Sequence, residues 1–245
     1  MHKYDFPPAK GFFITGTDTG VGKTLVTGAI AHRLHQQGRR VGVFKPVATG
    51  CAWRREGLVS ADAEFLAWAA DSQQPLSLIN PVSYHEPLAP LVAAERAQRE
   101  IAWEEIALAY DNIRQNNDLV LVEGIGGVMV PLRRDYLVID LMRDLALPVL
   151  IVARSKLGTL NHTFLSIEAC KSRGLRVAGV VINGYNPLKA SLAEEANAEV
   201  ITRVSGVPVV AVIPYDTKSS VEKTRLGPDV LAAVGLQDWK RLLKG

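Results

Sequence analysis

Gly16-Thr17-Asp18-Thr19-Gly20-Val21-Gly22-Lys23-Thr24 is the stretch on which the fold turns. It follows a short apolar run, residues 12–15, and precedes an amphipathic segment, residues 23–37. Leu25, Val26, Ala29, Ile30 and Leu34 share one face of that segment, and Gly38 supplies a left-handed stop. Strand, glycine-rich loop, Gly-Lys-Thr and helix in that order form a cradle for phosphate. Glycines let successive N–H groups turn inward, and the helix N-terminus adds partial positive charge. Lys23 is expected to reach the β- and γ-phosphates of a nucleotide, and the Thr24 hydroxyl to ligate Mg²⁺. The spacing departs from the standard motif: five residues separate Gly16 from Gly22 where four are usual, so Thr17 holds the first-glycine register. A purely structural turn would account for the glycines but not for Lys23-Thr24.

Outward from this loop the chain keeps alternating. Apolar, β-branched runs at 12–15, 41–44, 119–122, 148–153, 177–182 and 207–213 read as strands covered on both faces. Helical periodicity occupies 23–37, 61–70, 101–115, 138–145, 161–173 and 188–204, with Gly174 closing the fifth of these. Such alternation predicts one α/β domain over residues 1–245, a doubly wound, mostly parallel sheet of the phosphate-loop NTPase type flanked by helices, with residues 1–10 as an N-terminal tail. The proline-rich stretch 75–90 is expected as a surface excursion and not as a domain boundary. In such sheets ligands bind beyond the carboxyl ends of the strands.

Composition removes other classes. The 245 residues are 48% hydrophobic and 22% charged, which gives a substantial core without disulfide or metal support. Basic residues outnumber acidic ones only 28 to 25 and are scattered in pairs such as Arg39-Arg40 and Arg133-Arg134, so no nucleic-acid face is expected. Cys51 and Cys170 form no metal or disulfide spacing. No apolar run reaches the ~18 residues of a membrane span, and the first residues carry no leader-like apolar core. A cytoplasmic enzyme with no membrane partner is the expectation.

Four segments in order resemble the dethiobiotin synthetase family: Gly16 to Thr24, Lys45-Pro46-Val47-Ala48-Thr49-Gly50, Val122-Glu123-Gly124-Ile125-Gly126-Gly127, and Lys156-Leu157-Gly158-Thr159-Leu160-Asn161-His162. With Asn183 and Ile213-Pro214 the resemblance runs from Phe12 to about Pro214. It implies an ATP-dependent cyclo-ligase of biotin biosynthesis. Carbon dioxide is captured as a carbamate on 7,8-diaminononanoate, the carbamate is phosphorylated by MgATP, and the second amine closes the ring with release of phosphate. No covalent enzyme nucleophile is needed; the work is positioning and charge neutralisation.

The resemblance assigns Lys23 and Lys45 to catalysis, and Thr24, Asp62 and Glu123 to Mg²⁺. It assigns the nucleotide to Gly20, Val21, Gly22, Lys23, Thr24, Leu25, Asp62, Glu123, Gly124, Ile125, Gly126, Asn183, Gly184, Pro214, Tyr215 and Asp216. The diamine falls to Thr49 and to Lys156, Gly158, Thr159, Leu160 and Asn161, the latter loop coming from the partner subunit of a homodimer. Position alone leaves plainer readings open: Lys45 as a surface lysine before a proline, Thr49 as a turn residue, Asp62 as a helix-start acid, Asn183 as a turn residue before Gly184, and 158–161 as a capped loop. Glu123, directly after an apolar strand, is the carboxylate least explained by structure, because a buried acid is costly without a partner. The chain departs from the family pattern at Gly20, where some members carry Glu, and at Leu91, where a histidine often follows the second proline. A ParA- or MinD-like switch ATPase is the competing reading. Those proteins carry a lysine early in the loop where this chain has Asp18, and residues 229–244 lack the character of a basic membrane-anchoring helix.

Overall fold

The computed structural model describes residues 4–55 and 57–243. Its main sheet has six strands: β1 (Gly11–Gly16), β2 (Val41–Phe44), β3 (Leu119–Gly127), β4 (Val149–Arg154), β5 (Val177–Tyr185) and β6 (Val209–Pro214). They lie in the order β6-β5-β4-β1-β3-β2, every neighbouring pair parallel. From β1 the chain crosses to the edge at β2 and returns through β3 beside β1, then passes to the other side and moves outward through β4, β5 and β6. The order therefore reverses at β1, and the crevice this opens lies where the glycine-rich loop begins.

Alternation within the strands fills two cores. Phe13, Val122, Ile151 and Ile182 face one layer, while Ile14, Leu121, Leu150 and Val181 face the other. Helices α3 (Trp103–Asn116), α4 (Val138–Leu145), α5 (Thr159–Ser172) and α6 (Leu192–Ser205) contribute Ile106, Met142, Ile167 and Ile201 to the first. Helices α1 (Lys23–Gln36), α2 (Ala61–Ala69) and α7 (Pro228–Gly235) contribute Ile30, Leu66 and Val230 to the second. Gly38 and Gly174 take left-handed φ values of 75° and 71° after their helices, as the sequence predicts. No described helix is long and apolar enough to cross a membrane.

Four differences from the expected layout bear on the site. First, β3 continues through Glu123 to Gly127. Its register with β1 passes from Ile14↔Glu123 to Gly16↔Gly127, so two extra residues bulge between Glu123 and Gly127. Second, the stretch 79–84 is not a surface excursion. Ile79, Asn80, Val82, Ser83 and Tyr84 are buried, and Val82–Ser83 pairs in parallel with Val47–Ala48. Third, α5 starts at Thr159, and α6 starts at Leu192 behind a Ser191 cap. Fourth, the described part of the first ten residues is packed: Phe6 is buried, and the Tyr4 ring stacks on Trp103 with centroids 4.7 Å apart.

Candidate active site

The glycine-rich loop leaves β1 and turns directly into α1. Gly20 and Gly22 have φ values of 72° and 90°, which side-chain-bearing residues adopt only with strain. At Gly22 the requirement is also steric, since a Cβ there would lie 2.0 Å from the Asn183 amide nitrogen. Val21 anchors the loop in the core, and Leu25 packs beside it. Lys23 is buried, and its Nζ donates to the Asp18 carbonyl at 3.0 Å. Burial, helped by the nearby Lys45 charge, outweighs the opposing pull of Glu123, Asp62 and Asp18 and lowers its pKa to about 8. The Asp18 carboxylate accepts from Arg154 at 2.9 Å and from the Thr19 N–H at 2.7 Å, which fixes the crest of the loop.

Beside the loop three segments converge. Lys45 follows the last residue of β2, Glu123 stands at the β3 bulge, and Asp62 lies in the first turn of α2, whose N-cap is Ser60. The Lys45 ammonium lies between both carboxylates, 2.7 Å from Asp62 Oδ2 and 2.5 Å from Glu123 Oε1. Thr24 Oγ1 donates to the same Glu123 oxygen at 2.9 Å. Burial alone would lower the Lys45 pKa, but the Glu123 and Asp62 charges and hydrogen bonds outweigh it, so the ammonium is held above its ordinary range. Burial raises the Asp62 carboxyl, and Lys45 more than reverses this, leaving it below the usual range. Lys45 is thus no surface lysine, and Asp62 does more than cap a helix.

The rest of the Glu123–Gly127 segment flanks the loop. A Cβ at Gly127 would come within 3.4 Å of the Gly16 carbonyl oxygen, and one at Gly126 within 3.5 Å of Thr19 Oγ1. Gly124 and Ile125 lie between Glu123 and Gly126. On the far side, Asn183 near the end of β5 donates to the Val21 carbonyl at 2.9 Å, while its Oδ1 is buried without a partner. Gly184 follows with φ 77°, and its carbonyl accepts from Ser155 at 3.2 Å. Pro214 pairs with Tyr185, and Tyr215 N donates to the Tyr185 carbonyl at 2.8 Å. These place Pro214 and Tyr215 beside Asn183, with the Tyr215 ring exposed. The Asp216 carboxylate is engaged in its own turn, accepting from Lys218 N and Asp229 N.

Two predicted groups stand apart from this cluster. Thr49 is half-buried beyond the Val47–Ala48 pair. The Lys156–Asn161 segment opens α5 with Gly158 at φ 92° as N-cap and Thr159 buried. Among the described residues no hydrogen bond or ion pair joins Lys156, Gly158, Thr159, Leu160 or Asn161 to Lys45, Asp62 or Glu123. Sequence reasoning missed Arg154, Asp18 and Asn80, all of which hold site residues in place. Only the run of buried apolar residues around 79–84 could have signalled the last of them.

A parallel sheet whose order reverses at a glycine-rich phosphate loop, with paired lysines and carboxylates beside it, defines a phosphate-loop nucleotide-binding protein. The comparisons narrow this. A family model described as an AAA domain matches residues 10–223. The ATP-dependent dethiobiotin synthetase of Thermodesulfovibrio yellowstonii is 40% identical over 220 residues, covering 87% of this chain and 92% of that protein. That of Bacillus subtilis is 39% identical over 205 residues, covering 84% and 87%. The chain belongs to the ATP-dependent dethiobiotin synthetase family. Among solved structures, the MinD cell division protein of Aquifex aeolicus is similar with a TM-score of 0.60 at 16% identity, covering 97% of this chain and 98% of that one. A ParA family ATPase of Chlorobium tepidum has a TM-score of 0.54 at 15% identity, covering 93% and 98%. At such identity these two share the fold alone.

Proposed function

We propose that this chain is an ATP-dependent cyclo-ligase that closes the urea ring of dethiobiotin from 7,8-diaminononanoate and carbon dioxide, releasing ADP and phosphate. The observation that carries the reading is the Lys45 ammonium buried between Glu123 and Asp62, one hydrogen bond from Thr24 at the start of α1. A substrate amine first forms a carbamate with carbon dioxide and loses a proton. The carbamate oxygen then attacks the γ-phosphorus of ATP, breaking its bond to the bridging oxygen of ADP. The second amine attacks the resulting mixed anhydride and expels phosphate as the ring closes.

Each step gathers negative charge, so the chain's task is to hold anions together and offset them. Lys23 takes the nucleotide phosphates, exchanging the Asp18 carbonyl for phosphate oxygens. Lys45 spans the transferred phosphoryl and the carbamate, and its raised pKa keeps it cationic through the reaction. Asn183 reads the adenine with its unpartnered Oδ1, which suits the exocyclic amine of that base. Gly184, Pro214, Tyr215 and Asp216 frame the base with backbone and ring surface.

A magnesium ion fits the same residues. Glu123 Oε2 is buried with no partner among the described residues, and Thr24 and Asp62 offer further hard oxygen donors beside it. When bound, magnesium neutralises phosphate charge and orients the phosphate oxygens for in-line transfer. Thr49 is assigned to the diamine or carbamate. The Gly158–Asn161 helix start is assigned to the diamine carboxylate, received across a homodimer interface as the family resemblance implies.

The decisive experiment is ADP release in the presence of MgATP, bicarbonate and the diamine, each omitted in turn. Release that requires both the diamine and the carbon source, with a cyclic urea detected by mass, is expected. Turnover indifferent to the diamine but stimulated by DNA or lipid would overturn the ligase reading in favour of a switch ATPase. Sedimentation tests the interface: an active monomer would refute a carboxylate site shared between subunits.

A further inference from the structure

The lysine at the reacting centre grows from an unusual piece of backbone. β2 ends at Phe44, and Pro46 has no N–H to continue a ladder, so the Lys45 main chain must find support elsewhere. Support comes from residues 79–83. Lys45 N donates to the Ile79 carbonyl at 2.7 Å. The Asn80 side-chain amide donates to the Lys45 carbonyl at 2.7 Å and to the Val82 carbonyl at 3.1 Å. Ser83 Oγ donates to Asn80 Oδ1 at 2.6 Å. The amide has only one consistent orientation, because carbonyl oxygens can only accept and must face Nδ2. Both of its donors and its acceptor are used, and Asn80 is 7% exposed.

We propose that Asn80 is a positioning residue for Lys45, clamping the peptide group from which the ammonium reaches Glu123 and Asp62. This rests on the reading above, in which Lys45 acts at the transferred phosphoryl. The clamp matters because the lysine is fixed at both ends. Its main chain is tied to Ile79 and Asn80, and its Nζ to two carboxylates. A backbone shift of about 1 Å would draw the ammonium from its place, and misplacements of that size cost up to about 10²-fold in rate. Lys23 and Thr24 stand on the phosphate loop and do not depend on residues 79–83. Loss of the clamp is therefore expected to separate chemistry from nucleotide binding.

The test compares Asn80→Asp, Ser83→Ala and Lys45→Gln in the full chain, with ADP and MgATP binding by calorimetry and turnover expressed per nucleotide-binding site. Asn80→Asp keeps the shape but turns two donors toward carbonyls as acceptors. Its turnover per site is expected to fall about tenfold or more while nucleotide affinity stays within about threefold. A merely structural role would lower the number of binding sites and leave turnover per site unchanged. If Asn80→Asp does not fold, Ser83→Ala carries the test, with an expected two- to fivefold loss, roughly one lost neutral hydrogen bond. Wild-type turnover per site in Asn80→Asp, or in Ser83→Ala where that variant carries the test, overturns the inference. An active Lys45→Gln would overturn the role given to Lys45 and this inference with it, whereas an inactive Lys45→Gln beside a fully active Asn80→Asp removes only the clamp.

Discussion

Replacing Lys45 with Met is expected to unsettle the fold as well as the chemistry. The side chains of Lys45 and Glu123 are 4% and 0% exposed, so this pair is screened by little water; Asp62, at 38%, counts for less. Removing the cation leaves the Glu123 carboxylate buried without its counter-charge. Breaking such a pair costs about 3–5 kcal/mol, which at about 2 °C per kcal/mol for a chain of this length lowers Tm by about 6–10 °C. Adding Glu123→Gln to Lys45→Met removes the stranded charge, and the double variant should recover at least half of that loss. Thermal melts of wild type, both single variants and the double variant at neutral pH close the cycle. A Lys45→Met protein melting within about 2 °C of wild type would refute the argument, as would losses that simply add, since contacting charges must show a coupling energy.

Three other outcomes are expected. Lys23→Ala should lower turnover by about 10²–10³-fold, the usual cost of one preorganised charge-stabilising donor, and steady-state kinetics measure it directly. Gly22→Ala forces an alanine to φ 90° and drives its Cβ into the Asn183 amide. Strain of about 1–2 kcal/mol plus a lost hydrogen bond of about 1 kcal/mol should appear in melts and as weaker ATP binding, and Asn183→Ala in the same chain should relieve part of it. Tyr110 is fully buried with its hydroxyl unpartnered, and burial pushes the phenol up to about 12 against the pull of Arg114. The folded pKa lies above the unfolded one, so ionisation of this group costs no stability below about pH 10 and erodes it as pH rises from there through about 12. The unpartnered hydroxyl itself costs stability when buried, so Tyr110→Phe should melt about 2 °C higher at neutral pH and lose less stability on the alkaline side; a lower Tm would mean the hydroxyl has a role.

The phosphate loop was readable because it is local: β1, the glycines and α1 are adjacent in sequence, and each has its own chemistry. The same holds for the apolar strands and for the Gly38 and Gly174 stops. The meeting of Lys45 with Glu123 was not readable from pattern, since 78 residues separate them and the order β1-β3-β2 is set by packing across the sheet. Resemblance named both residues, one for the transferred phosphoryl and one for magnesium, but not their contact. Pattern also misjudged residues 79–84. Two-residue strands are too short to show alternation, and an asparagine before Pro81 reads as a turn even when its amide is the anchor of a buried network. The β3 bulge hid for a related reason: Glu123 to Gly127 has the composition of a loop, and it stays in the sheet because glycines let its backbone press against Gly16.

The bond from Asn183 to the Val21 carbonyl joins the phosphate loop to the end of β5, where the base site is proposed. The amide nitrogen is committed to the loop, and its oxygen, without a partner among the described residues, is the atom proposed to meet the base. On that assignment, docking a purine would tug on the tether that shapes the anion cradle, and a triphosphate seated in the cradle would orient the group awaiting the purine. The proposed role of Asn183 would thus link the two halves of the nucleotide through a single side chain, like two hands on one lever.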